Sequence, residues 1–393
     1  MQEQLTIMFA VIAGAAVVPL FARNIGVPSA ALEILYGVVL FNFFIYDKPE
    51  WFALLKELGL IYLMFIAGME LDLGKLFKGT RIYFYVVVAC FPFLLMPYLF
   101  VRMDLPLYLG VAVSMFSVGL VLPVLRESGL MKSQMGEDII GIAITGEMLS
   151  ILVLTALDIY HKHSSLPGSF LQAVRLVVFL SLTVIFLRLL YLIAWWNPER
   201  VEKIMKSQDP VEEGIRAVIA MVLAAALAAY ASGVEPILGS FMAGAVIGYV
   251  FKGKGRFEDK INAMGFGFFI PFFFIGVGAN FDVSLLGSVQ GLIISLYLTG
   301  AVFLGKIIPL ALFRPMGLKA VEGLAVALLI SCPFTMLVIA GDVGERMKFI
   351  GHTVNNSLVL TAIMSSIIYT MLFRPLGKSI LKKISMQELK DKA

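Results

Sequence analysis

The stretch Gly141-Ile142-Ala143-Ile144-Thr145-Gly146-Glu147-Met148-Leu149-Ser150-Ile151-Leu152-Val153-Leu154-Thr155-Ala156-Leu157 holds one ionisable residue, Glu147, in an otherwise apolar-rich run. The run around it, residues 136–158, is long enough to cross a bilayer core, which takes about 20 helical residues. A helix closes its own backbone hydrogen bonds and lipid supplies none, so the segment reads as a membrane span. A charge at the centre of a span is expensive, which makes Glu147 a functional residue by default. The same carboxylate can hold a proton, or shed it and take a partly dehydrated cation.

The pattern repeats along the chain. Of 393 residues, 60% are hydrophobic and 15% charged, against about a quarter charged in soluble domains. The mean hydropathy is +0.93. Apolar runs fall at 5–22, 28–45, 52–71, 82–101, 107–125, 136–158, 171–196, 213–232, 235–251, 262–281, 286–313, 319–341 and 349–373. The expected fold is therefore all-α, a polytopic membrane protein of about thirteen spans. One transmembrane domain covers 1–376, and a short charged tail covers 377–393. The start, Met1-Gln2-Glu3-Gln4, lacks a basic n-region, so the first run reads as a retained span. No metal-ligand cluster, phosphate loop or nucleophile–base pair stands out, which argues against an enzyme, a cofactor or nucleic-acid binding. Cys90 and Cys332 lie in apolar runs and read as small hydrophobes.

Basic residues set the orientation. Loops after odd-numbered spans hold Arg23; Lys75, Lys78 and Arg81; Arg126 and Lys132; Arg200, Lys203 and Lys206; Lys252, Lys254, Arg256 and Lys260; Arg314 and Lys319. Loops after even-numbered spans hold only Lys48, Lys56, Arg102, Lys162, Arg346 and Lys348. The positive-inside rule places the N-terminus outside and the C-terminus in the cytoplasm.

Short internal matches recur seven spans apart. The third span ends Gly68-Met69-Glu70-Leu71-Asp72 and the tenth Gly278-Ala279-Asn280-Phe281-Asp282. The second begins Gly26-Val27-Pro28, and the ninth follows Gly233-Val234-Glu235-Pro236. An odd separation reverses direction across the membrane, the signature of an inverted repeat with a midplane site and alternating access. The fifth span, through Ser114-Met115-Phe116-Ser117-Val118-Gly119, and the twelfth, through Ser331-Cys332-Pro333-Phe334-Thr335, are also seven apart and look interrupted. Their hydroxyls can satisfy freed backbone groups or face an ion.

Few other ionisable residues lie deep in spans. Lys306, in the eleventh, pairs either with Glu147 or with carbonyls at a helix break; Pro309 would free one nearby. Glu33 lies only five residues past Pro28 and divides evenly between structural and functional readings. Glu322 reads as a favourable charge at a helix N-terminus. Glu70, Asp72 and Asp282 read as loop or cap residues, and His161, His163 and His352 as loop histidines.

These residues resemble the cation/proton antiporter superfamily of sodium/proton exchanger-like proteins, and within it the second monovalent cation:proton antiporter family. Residues 57–72, ending Phe65-Ile66-Ala67-Gly68-Met69-Glu70-Leu71-Asp72, are close to its third-span signature. Residues 236–244, Pro236-Ile237-Leu238-Gly239-Ser240-Phe241-Met242-Ala243-Gly244, are similar to its ninth. Pro271-Phe272-Phe273-Phe274-Ile275-Gly276-Val277-Gly278 is similar to its tenth.

The resemblance implies two inverted six-helix repeats, usually in a homodimer. Crossing unwound helices, here the fifth and twelfth spans, move like an elevator against a dimerisation domain. Where the family's sixth helix carries an acid, amide or similar polar residue before its aspartate, this chain has Gly146-Glu147. The first polar partner is gone and the second acid is lengthened; the longer Glu147 is expected to fill the volume beside Gly146. Lys306 matches the family's eleventh-helix lysine, which in electrogenic members pairs with the missing acid.

The expected function is exchange of Na⁺ or K⁺ for H⁺ in a bacterial or archaeal inner membrane, one for one. The expected ion and proton site is Glu147 with oxygens of Ser117, Val118 and Gly119 and of Ser331. Lys306 is the charge partner, and Thr145, Glu33 and Cys332 are secondary candidates. The alternatives are a sodium- or proton-coupled symporter of a small organic anion on the same fold, or a cation channel.

Overall fold

The computed structural model describes residues 2–25, 28–45, 48–69, 81–131, 133–162, 213–232, 236–250, 255–284, 289–312 and 319–391, together with 178, 181 and 185. All regular structure among the described residues is helical. In chain order the helices are α1 (Gln2–Ile25), α2 (Ser29–Val39), α3 (Glu50–Met69), α4 (Ile82–Arg102), α5 (Leu107–Ser114), α6 (Val121–Glu127) and α7 (Gln134–Lys162). They continue with α8 (Glu213–Ala231), α9 (Pro236–Val250), α10 (Gly255–Met264), α11 (Ile270–Ala279), α12 (Val289–Leu312), α13 (Ala320–Ile330), α14 (Phe334–Arg346) and α15 (His352–Asp391).

Among the described residues eight helices are long and apolar enough to cross a bilayer. The α13–α14 pair, bent by 42°, is long and apolar enough to count as a ninth when its two helices are taken as one span. Helices follow every run expected from the sequence except the seventh, 171–196, which falls outside the described residues apart from 178, 181 and 185.

Several local features differ from the sequence reading. A π-helical turn, Leu40–Phe44, ends α2, and another, Gly265–Phe269, joins α10 to α11. His161 and His352 lie in helices, His161 in the last turn of α7 and His352 at the start of α15. The last helix does not stop near Leu376. It runs through Pro375 to Asp391 as one helix of 40 residues, because the tail's lysines, with Leu381, Met386, Gln387, Glu388 and Leu389, favour helix. Ile380 is buried on that extension, and Gly377 backs onto Leu130.

The chain divides into two units interleaved in sequence. The first takes Met1–Pro19, Glu33–Phe77 and Ile151–Ala279; the second takes Leu20–Leu32, Lys78–Ser150 and Asn280–Ala393. In the first unit helices meet backbone to backbone. Gly68 of α3 lies against the Phe241 carbonyl of α9, and Gly244 of α9 against the Phe65 carbonyl of α3. Gly37 of α2 lies against the Ile275 carbonyl of α11, and Gly278 of α11 against the Ile34 carbonyl of α2.

A Cβ at any of these four positions would overlap a backbone oxygen, so only glycine permits the approach. Gly68 and Gly278 are the matched glycines of the third and tenth spans. Gly37 and Gly244 each stand eleven residues after the matched Gly26 and Gly233. The α3–α9 and α2–α11 contacts thus join the same two kinds of matched segment, each contact taking one segment from each half of the chain.

The second unit contains α4–α6, the first half of α7, and α12–α15. Its helices are joined by buried tyrosines whose hydroxyls find carbonyls. Tyr108 donates to Ala340 at 2.7 Å and Tyr369 to Thr299 at 2.6 Å.

Candidate ion-binding site at two broken helices

The site lies in the second unit, where two spans are interrupted. Helix α5 stops at Ser114 and α6 begins at Val121. Between them Met115 is extended, with φ −66° and ψ 154°. The Gly119 N–H reaches the Ser117 hydroxyl at 3.4 Å. The Val118 carbonyl accepts the N–H groups of Val121 at 2.9 Å and Leu122 at 3.3 Å, and so starts α6. In the other span, α13 ends at Ile330 and Pro333 has no N–H to continue it. The Phe334 N–H turns to the Cys332 carbonyl at 2.8 Å, and Pro333 in turn accepts from Leu337 at 2.8 Å. The two breaks adjoin: a Cβ on Gly119 would lie 3.3 Å from the Thr335 hydroxyl oxygen.

Glu147, on α7, faces the first break and is 1% exposed. The Ser117 hydroxyl donates to its Oε1 at 3.4 Å, and the Val118 backbone lies within reach of the same carboxylate. Its Oε2 has no hydrogen-bond partner among the described residues. A buried acceptor left unmet costs about 1–3 kcal/mol, more if charged. Glu147 is therefore a carboxylate with one oxygen held and one oxygen open to a proton or a cation.

Lys306 is fully buried and donates to the Val113 carbonyl at 2.7 Å. That carbonyl is one of the unpaired acceptors at the C-terminal end of α5, where a cation also complements the helix dipole. Of the two pairings open in the sequence, the lysine takes the helix-break carbonyl and not Glu147. The carbonyl comes from α5, not from the turn before Pro309. The Lys306 ammonium also stands 4.6 Å from the centroid of the Phe116 ring.

The volume beside Gly146 is filled differently from the sequence expectation. Glu147 does not occupy it. The Phe116 ring does, lying where a Cβ on residue 146 would be. Phe116 is pinned there by its N–H, which donates to Ser150 Oγ at 3.0 Å, while that hydroxyl donates to the Gly146 carbonyl at 2.7 Å.

The structure thus gathers Glu147, Ser117, Val118, Gly119 and Lys306 around the first break. Ser331, expected in the ion site, and the secondary candidates turn elsewhere. Thr145 donates to Gly141 at 2.8 Å, Ser331 to Ala327 at 2.6 Å, and Cys332 sits 3.5 Å from the Leu328 carbonyl. Thr145 and Ser331 bond within their own helix or its immediate end, and Cys332 also stands 3.8 Å from the Ser365 carbonyl of α15. Glu33 is buried in the first unit at 5% exposure. Glu322 caps its helix as expected, accepting the Lys319 N–H at 2.9 Å. Asp282 caps a loop by accepting the Ser284 N–H at 2.9 Å.

Two residues escaped the sequence reading of the site. Phe116 and Thr335 were visible only as members of interrupted segments. A third feature, the ion pair of Arg81 with buried Asp138 at the start of α7, also lies in this unit. Its only sequence signal was a carboxylate a few residues inside an apolar run.

A family model described as sodium/hydrogen exchanger, transmembrane, matches residues 9–379. The chain is 23% identical over 384 residues to an Na(+)/H(+) antiporter of Enterococcus hirae, covering 91% of this chain and 94% of that one. It is 24% identical to the Bacillus subtilis protein YjbQ over 90% of its own length, but spans only 60% of that relative. The solved structure of the sodium proton antiporter MjNhaP1 from Methanocaldococcus jannaschii superposes with a TM-score of 0.64 at 16% identity, covering 96% of this chain and 99% of the other. With a family model matching across nearly its whole length, over helices broken at a buried carboxylate, the chain belongs to the transmembrane sodium/hydrogen exchanger family.

Proposed function

We propose that this protein exchanges a monovalent cation, Na⁺ or K⁺, for protons by alternating access, and that Glu147 carries either ligand. The observation that carries the reading is the Glu147 carboxylate itself. It is buried beside two adjoining helix breaks, with one oxygen on Ser117 and the other without a partner among the described residues.

The cycle follows from that geometry. With a proton bound, the carboxyl group is neutral and its burial costs little. Losing the proton leaves a buried charge that only a cation can offset, so the empty anionic form is the least stable and the two ligands compete. The Ser117 hydroxyl, which donates to Glu147 when no cation is there, can rotate and offer its lone pairs to the cation. Backbone oxygens of the unwound 115–120 segment complete the shell. Gly119 supplies close access beside Thr335. The Val118 carbonyl already serves α6, so its share is the smallest.

One carboxylate changes its ligand by one charge at a time, so the exchange is one proton for one cation and moves no net charge. The resemblance implies an elevator motion that carries Glu147 and the two helix breaks across the membrane together. The finer assignment is to the second monovalent cation:proton antiporter family. The protein works as a homodimer in a bacterial or archaeal inner membrane, N-terminus outside and C-terminus in the cytoplasm.

The reading is tested in proteoliposomes carrying a pH-sensitive dye, with Na⁺, K⁺ or Li⁺ added outside. Cation-driven dye change, insensitive to an imposed membrane potential, is the expected result. No response to any cation across pH in well-sealed vesicles would refute antiport and bring organic-anion symport forward. Currents beyond a carrier's rate would favour a channel.

A further inference from the structure

We propose that Phe116 is a positioning residue that holds the exchanger to one proton per cation, by occupying the space an acidic side chain at position 146 would require and by presenting its ring to Lys306. The inference deepens the exchange proposed for Glu147 and rests on that reading.

Three contacts fix the ring. Its backbone N–H is held by Ser150, and Ser150 is held by the Gly146 carbonyl, so residue 116 is tied to the turn of α7 that begins at Gly146. Any Cβ at residue 146 would fall on the Cβ, Cγ and Cδ2 atoms of Phe116. On its other side the ring stands 4.6 Å from the Lys306 ammonium, which is anchored at 2.7 Å to the Val113 carbonyl, three residues before Phe116. Phe116 itself is fully buried. The ring is therefore interposed between α7 at Gly146 and α12 at Lys306.

The chemistry of that placement decides the count. An aromatic face attracts a cation through its quadrupole but has no proton to give and no lone pair to receive one. A carboxylate in the same place would do both. With Phe116 there, Lys306 has no acid across from it with which to trade protons during the cycle, and Glu147 alone exchanges. One proton leaves the Glu147 carboxyl as one monovalent cation arrives, and the charges balance. An acid at 146 facing Lys306 would add a second titratable group, so that a further proton would leave per cation and charge would move.

The same proteoliposome assay, with and without an imposed potential, tests this on native protein, Gly146→Asp, the Phe116→Ala/Gly146→Asp double variant, and Phe116→Ala, whose exchange should stay insensitive to the potential because residue 146 is still glycine. The new side chain in Gly146→Asp meets the ring, so its exchange should fall about tenfold or more. The double variant has room for the carboxylate, and its exchange should recover and become dependent on the potential. Near-native exchange by Gly146→Asp alone would overturn the proposal. So would a double variant that exchanges without responding to the potential.

Thermal unfolding in detergent supplies an arm that needs no transport. Gly146→Asp should lower Tm and the double variant should restore part of the loss. In a second cycle, Phe116→Leu and Lys306→Met should each lower Tm, with the pair together losing less than the sum. Fully additive losses, or no rescue of Gly146→Asp, would overturn the placement of Phe116, and this arm decides if the double variant proves inactive. Native protein that responds to no cation would instead sink the antiport reading, while these unfolding comparisons would still report on the ring.

Discussion

Replacing Asp138 by alanine removes the carboxylate that ties the start of α7 to the start of α4. Arg81 Nη1 donates to its two oxygens at 2.8 and 2.9 Å, and the Tyr85 hydroxyl donates to Oδ1 at 2.8 Å. The Asp138 side chain is 2% exposed and that of Arg81 43%. Breaking a fully buried ion pair costs about 3–5 kcal/mol, whereas an exposed pair is worth about 0–1 kcal/mol. Here water can re-solvate the half-exposed guanidinium, which brings the ionic part to about 1–2 kcal/mol. The orphaned Tyr85 hydroxyl adds about 1 kcal/mol. The expected loss is therefore about 2–3 kcal/mol.

Reversible urea unfolding in detergent micelles measures that loss. A double-mutant cycle with Arg81→Met should return a coupling of about 1 kcal/mol or more. A loss for Asp138→Ala below about 0.5 kcal/mol, the range of an ordinary surface substitution, would refute the claim that this pair anchors the helix bearing Glu147.

Four further variants test other parts of the structure. Gly278→Ala puts a methyl group into the Ile34 carbonyl and should cost about 1–3 kcal/mol in the same unfolding assay. Gly300→Ala on α12, where a Cβ meets nothing within 4 Å, should be neutral or stabilising by up to about 1 kcal/mol. Ser117→Ala removes the hydroxyl that donates to Glu147 and one oxygen for the cation, and should raise the cation KM about fivefold with a smaller change in maximal rate. Hydrogen bonds from the Ser284 side chain and backbone hold the Asp282 carboxyl below its usual pKa. Its contribution to stability is therefore complete above about pH 4 and is lost as pH falls through the depressed value. Asp282→Asn should lower stability across the neutral range and flatten the acid limb of an unfolding-versus-pH curve, so that native and variant curves converge at low pH.

How much of this was legible depended on which physical signal each feature leaves in one dimension. The spans were readable because lipid demands runs of apolar helix, and the breaks because Pro333 and the Ser117–Gly119 cluster cannot continue one. Glu147 was readable as a lone carboxylate in such a run. The pairing of Lys306 was not, because its partner is a carbonyl freed by the end of α5, and a backbone acceptor has no side-chain signature. Phe116 was one of 31 phenylalanines, and nothing in its type marks the one that fills the space at Gly146. The repeat showed as matched glycines. Their reason, backbone-to-backbone packing of α3 on α9 and of α2 on α11, needed the partner carbonyls to be seen. Ser331 and Thr335 were equal candidates by residue type. The break in the twelfth span turns Ser331 back onto Ala327 and sets Thr335 beside Gly119, a difference decided by one turn of backbone.

The central claim is that Glu147 carries both ligands, and the most direct measurement compares native protein with Glu147→Gln and Glu147→Asp in sealed proteoliposomes. Cation-driven proton movement should vanish in Glu147→Gln, whose side chain keeps the shape but can neither ionise nor release a proton, and should persist with altered cation affinity in Glu147→Asp. Exchange by folded Glu147→Gln at a rate near that of the native protein would contradict it.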